Sequence, residues 1–146
     1  MLNGFNMLKK YSTIWFAVLS VITILVSCTK TTEITEPEVS YFVVKVDSIS
    51  VPDAIAHSDT LRIKFYGTVG CNSNYSFDHF EAQKTLSSIN LTVWGKYVAN
   101  EGAFEVLTTL QDNDVEYNVS TIDPGKYEIF VHQPDSSVLS DSVTVE

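Results

Sequence analysis

The chain has 146 residues with 18 acidic and 9 basic side chains, which gives a formal net charge of −9 at pH 7. Such an acidic chain repels phosphate backbones, so the composition argues against nucleic acid as a partner. Hydrophobic residues make up 45% of the chain, and its length is that of one domain able to bury an apolar core.

The N-terminus has its parts in the order of an export signal. Lys9 and Lys10 precede an apolar run over residues 14–26, and Cys28 follows Ser27. A helix needs about 20 apolar residues to span a bilayer, whereas the core of a signal peptide is typically about 7–15 residues long. The run therefore fits a signal peptide rather than a membrane-spanning helix.

The tetrapeptide Leu25-Val26-Ser27-Cys28 resembles the lipobox of bacterial lipoproteins. The resemblance implies cleavage before Cys28, acylation of its thiol and attachment to the membrane through two or three acyl chains, which together anchor stably. Because residue 29 is Thr rather than Asp, the sorting pattern of Gram-negative bacteria implies the outer membrane. The alternative is an ordinary cleaved signal that happens to be followed by a cysteine.

Three segments are expected: a signal peptide at 1–27, the lipidated Cys28 with a polar tether at 28–38, and a folded domain at 39–146. Removing the signal takes away Lys9 and Lys10, which leaves 7 basic against 18 acidic groups and a net charge of −11. Acylation of Cys28 would leave Cys71 without a disulfide partner. We interpret Cys71 as a buried or semi-buried residue that acts as a small hydrophobic side chain rather than as a nucleophile.

From residue 40 onward, apolar and polar residues alternate with a period of two, which is typical of strands with one face buried. Turn-forming residues separate these runs, and this pattern favours a β-sandwich or barrel. Residues 77–86 are the exception, because their pattern fits a helix or a strand. The residues predicted to face the core are Phe42, Val44, Val46, Leu61, Ile63, Phe65, Ile89, Leu91, Val93, Val115, Tyr117, Val119, Tyr127, Ile129, Val131, Val143 and Val145.

Segment 122–131 contains Pro124-Gly125 followed by Tyr127, Ile129 and Val131. It resembles the strand corner of bacterial Ig-like and fibronectin-III-like domains, in which a Pro-Gly turn leads into a strand whose tyrosine buries its ring. The resemblance implies an all-β fold, an Ig-like antiparallel β-sandwich of about seven to eight strands, closed by a final strand at 140–146. As a whole, the chain resembles the small uncharacterised envelope lipoproteins of Gram-negative bacteria.

Three aromatic residues fall on the polar phase of their predicted strands: Tyr66, Trp94 and Phe130. If those strands are neighbours, the three rings form an exposed patch that binds sugars, peptides or a partner protein. Two alternatives remain: loops or the tether cover the rings, or a bulge at Gly95 turns Trp94 inward.

No catalytic set is visible. The consecutive His57, Ser58 and Asp59 favour a polar turn, since catalytic triads are built in space rather than by adjacency. The alternating Asp112, Asp114 and Glu116 lack the glycine of a calcium loop and favour an acidic hairpin loop. We therefore expect neither metal nor cofactor and no enzymatic activity.

The sequence thus predicts a cell-envelope lipoprotein attached to the membrane through Cys28, with a non-catalytic binding or structural domain whose ligand is carbohydrate or protein. The alternative is a protease inhibitor that presents loops 70–74 and 100–102 at one end of the sandwich.

Overall fold

The computed structural model describes residues 36–120 and 122–146. The predicted signal peptide, Cys28 and most of the tether lie outside the described residues. Residues Pro37–Glu146 form one compact unit. Within the described part of the chain, no helix is long and apolar enough to cross a membrane.

Eleven strands and one 3-10 turn make up the regular structure of the described residues. The strands are β1 Val39–Val43, β2 Ser48–Ser50, β3 Ala54–Ile55, β4 Leu61–Tyr66, β5 Thr68–Asn72, β6 Tyr75–Lys84, β7 Ser88–Val98, β8 Glu105–Thr109, β9 Glu116–Val119, β10 Gly125–His132 and β11 Val138–Val145; the 3-10 turn is Gln111–Asn113.

The strands form three hydrogen-bonded sets. The large sheet runs β1-β7-β10-β11-β3, with β6 on the other edge of β7. The small sheet is β2-β4-β9, and β5 pairs with β8 as a two-stranded ribbon. β7 is the central strand of the large sheet, because β1 and β10 share one of its edges while β6 covers the other.

The core lies between the large and small sheets and follows the predicted alternation. Leu61, Ile63 and Phe65 of β4 are buried, as are the inward residues of β7, β10 and β11. Burying one such aliphatic side chain stabilises the fold by about 1.5–3 kcal/mol relative to leaving it exposed. The sequence prediction of an all-β sandwich is confirmed.

The strand inventory differs from the predicted seven to eight strands. β2 and β3 have only three and two residues, too few for a periodic signal. Two pairings, β7 with β10 and β3 with β11, are parallel rather than antiparallel. The ambiguous stretch at 77–86 belongs mainly to strand β6, whose inward rings Phe77 and Phe80 pack against the core.

Gly67 separates β4 from β5, where the chain leaves the small sheet and enters the ribbon. A Cβ atom at this position would lie 2.7 Å from the carbonyl oxygen of Lys45, so the backbones approach too closely for any side chain. Glycine at 67 therefore allows one continuous run of chain to serve two strand pairings.

The end of the chain folds as the Pro-Gly corner predicts. Tyr127 follows Gly125 in β10 and its ring is buried, with only 3% of the residue exposed. β10 and β11 pair antiparallel from Gly125 and Val145 at one end to His132 and Val138 at the other. The final strand thus closes the domain as predicted, although it begins at Val138 rather than at 140.

Candidate binding face

The three aromatic residues proposed as a patch do not share one sheet. Trp94 lies on β7 and Phe130 on the neighbouring β10, both in the large sheet. Tyr66 ends β4 of the small sheet, which pairs with neither of those strands. The structure therefore brings Trp94 and Phe130, which are half-buried, to one sheet and leaves the exposed Tyr66 on another.

Trp94 lies on the outer face of the large sheet, because its neighbours Val93 and Gly95 in β7 are buried toward the core. The predicted alternative, a bulge at Gly95, is not found. A Cβ at Gly95 would lie 2.7 Å from the Phe42 ring, so glycine is needed here to admit Phe42 to the core. The irregularity falls instead on β6, between Phe77 and His79.

The β6 irregularity fixes the surroundings of Trp94. It places the His79 imidazole parallel to the indole, with ring centres 6.1 Å apart and planes 7° apart. Two residues further along β6, a carboxylate oxygen of Glu81 accepts a hydrogen bond from Trp94 Nε1 at 3.2 Å. The indole is thereby held in one orientation on the sheet surface.

Asp78 connects this arrangement to β7. Its carboxylate lies 2.7 Å from His79 Nδ1 and 3.2 Å from the Lys96 ammonium. The hydrogen bond from His79 is the largest cause that lowers the pKa of Asp78 below its ordinary value, and Lys96 lowers it further. Because Asp78 stays ionised to a lower pH, it continues to hold the ring that stacks on Trp94.

Replacing Asp78 with Asn should reduce the acid sensitivity of the fold. A carboxyl group whose folded pKa is depressed contributes stability above its unfolded pKa, and this contribution is lost as the pH falls through the folded value. Urea unfolding midpoints measured from about pH 7 down to pH 2.5 should fall less for Asp78→Asn than for the wild type below about pH 4. Parallel curves for the two proteins over that interval would contradict the assignment.

The remainder of the outer face comes from β1 and β10. Tyr41 lies opposite Lys96 in the register of β1 with β7 and is 58% exposed. Phe130 lies opposite Asn90, and His132 Nε2 is 3.4 Å from the Asn90 side-chain oxygen. We call this surface the Trp94 face; its members are Tyr41, His79, Trp94, Phe130 and His132.

Sequence reasoning missed three members of the Trp94 face. Tyr41 lies on the polar phase of its predicted strand, as Trp94 does, so the same signal could have identified it. His79 and His132 carried no usable signal, because each lies beside a residue that is distant along the chain: His79 is 15 positions before Trp94, and His132 is 42 positions after Asn90.

Comparisons of the chain with protein-family models, curated proteins and solved structures find no match. What the Trp94 face can do is therefore argued from its own chemistry. Aromatic faces stack on apolar rings and C–H groups, while the amide of Asn90, the carboxylate of Glu81 and the imidazole of His132 exchange hydrogen bonds with hydroxyl groups. This combination on an open sheet suits an uncharged polyhydroxylated ligand.

Tyr66 lines a separate groove of about 440 Å³ outside the small sheet. The predicted acidic loop forms part of its wall through Asp114 and Glu116. Asp112 accepts a hydrogen bond from the Thr109 hydroxyl, and Glu116 one from the Asn118 amide at 3.1 Å. Among the described residues, no group of three or more His, Cys, Asp or Glu side chains is placed to share a metal ion.

The two loops of the inhibitor hypothesis lie at the same end of the domain, since the Asn74 side chain donates a hydrogen bond to the carbonyl of Asn100 at 3.4 Å. However, Gly70 and Asn72 belong to strand β5, so only Ser73 and Asn74 form the turn. Asn74 is itself buried. The first loop is therefore shorter and less prominent than the sequence predicted.

Proposed function

We propose that this chain is a lipid-anchored protein of the bacterial cell envelope, held in the outer membrane through Cys28, whose β-sandwich binds neutral carbohydrate without catalysis. The lipobox-like tetrapeptide that ends at Cys28 supports the anchor. The observation that carries the binding role is the fixed orientation of Trp94, whose indole is stacked on His79 and hydrogen-bonded to Glu81.

A pre-oriented aromatic ring binds at a lower entropic cost than a mobile one, because its side-chain freedom is already restricted. The Trp94 face is part of an open sheet rather than a deep cleft, a shape that suits the flat side of a sugar ring better than a compact molecule that must be enclosed. The mature chain carries a net charge of −11, which disfavours acidic glycans and leaves neutral ones.

Tryptophan fluorescence offers a direct test. The chain has two tryptophans, and since Trp15 falls in the predicted signal peptide, Trp94 is the only one in the mature protein. Binding of a neutral oligosaccharide to the mature protein in detergent should change the intensity or wavelength of Trp94 emission. Oligosaccharides that bind by calorimetry but leave this emission unchanged would place the ligand elsewhere.

Two single substitutions locate the site by calorimetry. Trp94→Ala should weaken binding by roughly 30-fold or more, as expected for an aromatic hot spot. Tyr66→Ala removes an exposed aromatic ring from the small sheet and should leave affinity unchanged. Equal losses in both variants, or a glycan array without binding by the wild type, would reject the carbohydrate proposal.

A further inference from the structure

The chain enters the domain at one end, and several segments meet there. The amide of Ala99, just after β7, donates to the carbonyl of Glu38 at 2.9 Å. The amide of Val98 donates to Asn74 at 3.0 Å, and Ser73, the neighbour of Asn74, donates to Phe104 at 3.1 Å. The entry to β1, the end of β7, the β5–β6 turn and the entry to β8 therefore form one end, which we call the proximal end.

The proximal end carries most of the exposed large apolar side chains of the described residues. Phe104 is 66% exposed, Leu107 62% and Val106 41%, all at or near the start of β8. Val39 and Tyr41 of β1 also lie at this end and are 43% and 58% exposed. Clusters of exposed apolar side chains on an otherwise polar protein mark interaction surfaces. Phe104, Val106 and Leu107 are defined here as the proximal patch.

The segment that links Cys28 to the domain joins it beside this patch. Ten residue-to-residue steps separate Cys28 from Glu38, and a fully extended chain advances at most about 3.6 Å per residue, or roughly 36 Å in all. Because that segment joins the domain at the proximal end, a lipid on Cys28 keeps a bilayer at a high effective concentration close to the patch. Leu86, in the β6–β7 turn, lies at the opposite end of β7, which we call the distal end. The ten residue steps of β7 from Ser88 to Val98 separate the two ends by roughly 33 Å.

We propose that the proximal patch contacts the surface of the lipid bilayer to which Cys28 anchors the chain, an inference that rests on the lipid anchor of the proposed function. Phe104 would occupy the interfacial region, where aromatic rings are favoured. Glu38, Glu101 and Glu105 flank the patch and oppose anionic headgroups, so the surface it fits is zwitterionic. The acyl chains supply the affinity, and the patch supplies the orientation.

The orientation has a consequence for the Trp94 face. β7 ends at the proximal end with Val98, and Trp94 lies four residues before Val98. With the proximal patch on the lipid, Trp94 lies roughly 13 Å along β7 from the end that contacts the bilayer. The Trp94 face then remains open to a ligand in the aqueous space next to the membrane.

Fluorescence quenching by lipids tests the contact in the intact acylated protein. Cys71 is exposed in β5, so the prediction that it is buried or semi-buried is wrong. It lies beside Val106 and Leu107 at the ribbon surface and therefore accepts a fluorescent label near the patch. The comparison protein carries the label at the distal end through Cys71→Ser and Leu86→Cys; Leu86 is 96% exposed. Both proteins are reconstituted in phosphatidylcholine vesicles that contain a headgroup spin-labelled lipid.

The label at 71 should be quenched and the label at 86 should not. Phe104→Ser combined with Leu107→Ser should reduce quenching at 71 to the level at 86, whereas Leu86→Ser in the Cys71-labelled protein should leave it unchanged. Replacing part of the phosphatidylcholine with phosphatidylglycerol should weaken quenching at 71. Equal quenching at both positions, or none at 71, would overturn the inference.

Two further readings of the same samples separate the possible failures. Intact mass reports acylation of Cys28, and flotation reports attachment to vesicles. Acylated, floating protein without quenching at 71 overturns the patch contact and leaves the anchor in place. Protein without acyl chains overturns both. Crosslinking of unlabelled protein through Cys71 into a dimer, without quenching at 71, assigns the patch to a second copy and also overturns the inference.

Discussion

Leu91→Ala is expected to lower the free energy of unfolding by about 2–5 kcal/mol. Leu91 has 0% exposure and lies on β7, with Val131 of β10 and Ala82 of β6 as its strand partners. Removing its side chain loses the transfer free energy of three carbon groups and leaves a cavity that the surrounding strands fill only in part. Since a domain of this size is stable by roughly 5–15 kcal/mol, this single change removes a large share of the total.

The measurement is urea unfolding followed by far-ultraviolet circular dichroism. The midpoint should fall with little change in the slope against urea, as expected when stability changes and the exposed surface does not. Leu86→Ala is the matched control, because it makes the same chemical change at a leucine that is 96% exposed. It should stay within about 0.5 kcal/mol of the wild type. A loss at Leu91 no larger than at Leu86 would contradict the burial of Leu91 in the core.

The fold class was predictable because one face of each main strand is buried and the other is wet. In β4, the buried residues Leu61, Ile63 and Phe65 alternate with exposed residues, which gives a clear signal of period two. The exposed residues are Arg62, Lys64 and Tyr66. This signal is local, since it needs only the residues of one strand. It therefore identified the core residues of β4, β7 and β10 without any knowledge of which strands are neighbours.

Strand pairing was not predictable from the same signal. β7 pairs in parallel with β10 and antiparallel with β6, and both edges look alike in the sequence of β7. Gly70 and Asn72 carry turn chemistry, yet they are strand residues because β8 offers them backbone partners. A propensity at one position is overridden when a distant segment supplies hydrogen bonds.

In the candidate site, too, local strand patterns were predictable and the pairing between strands was not. Trp94 and Phe130 were found because they break the polar phase of their strands. Tyr66 breaks it too, but it belongs to a different sheet, and only the pairing reveals this. The stacking of His79 on Trp94 depends on the register shift between Phe77 and His79 in β6. The residue types in this part of β6 do not predict such a shift.

Cys28→Ala is expected to abolish lipid attachment entirely. In the proposed anchor the thiol of Cys28 carries the acyl chains, and alanine offers no atom to accept them. Each buried methylene contributes about 0.8 kcal/mol to membrane binding, so losing two chains removes far more affinity than a surface patch restores. Cells grown with an alkyne-tagged fatty acid should yield a labelled wild-type protein and an unlabelled Cys28→Ala protein.

Cys71→Ala is the matched control, since the chain contains two cysteines and Cys71 is exposed within the folded domain. That variant should incorporate the tagged fatty acid as the wild type does. Label retained by Cys28→Ala and lost by Cys71→Ala would move the lipid to β5 and reject the proposed anchor. If Cys28→Ala loses the lipid as expected, its proximal patch should also leave the bilayer. The three exposed side chains of the patch are flanked by glutamates, so they stay in contact with a lipid surface only when the acyl chains hold the protein close to it.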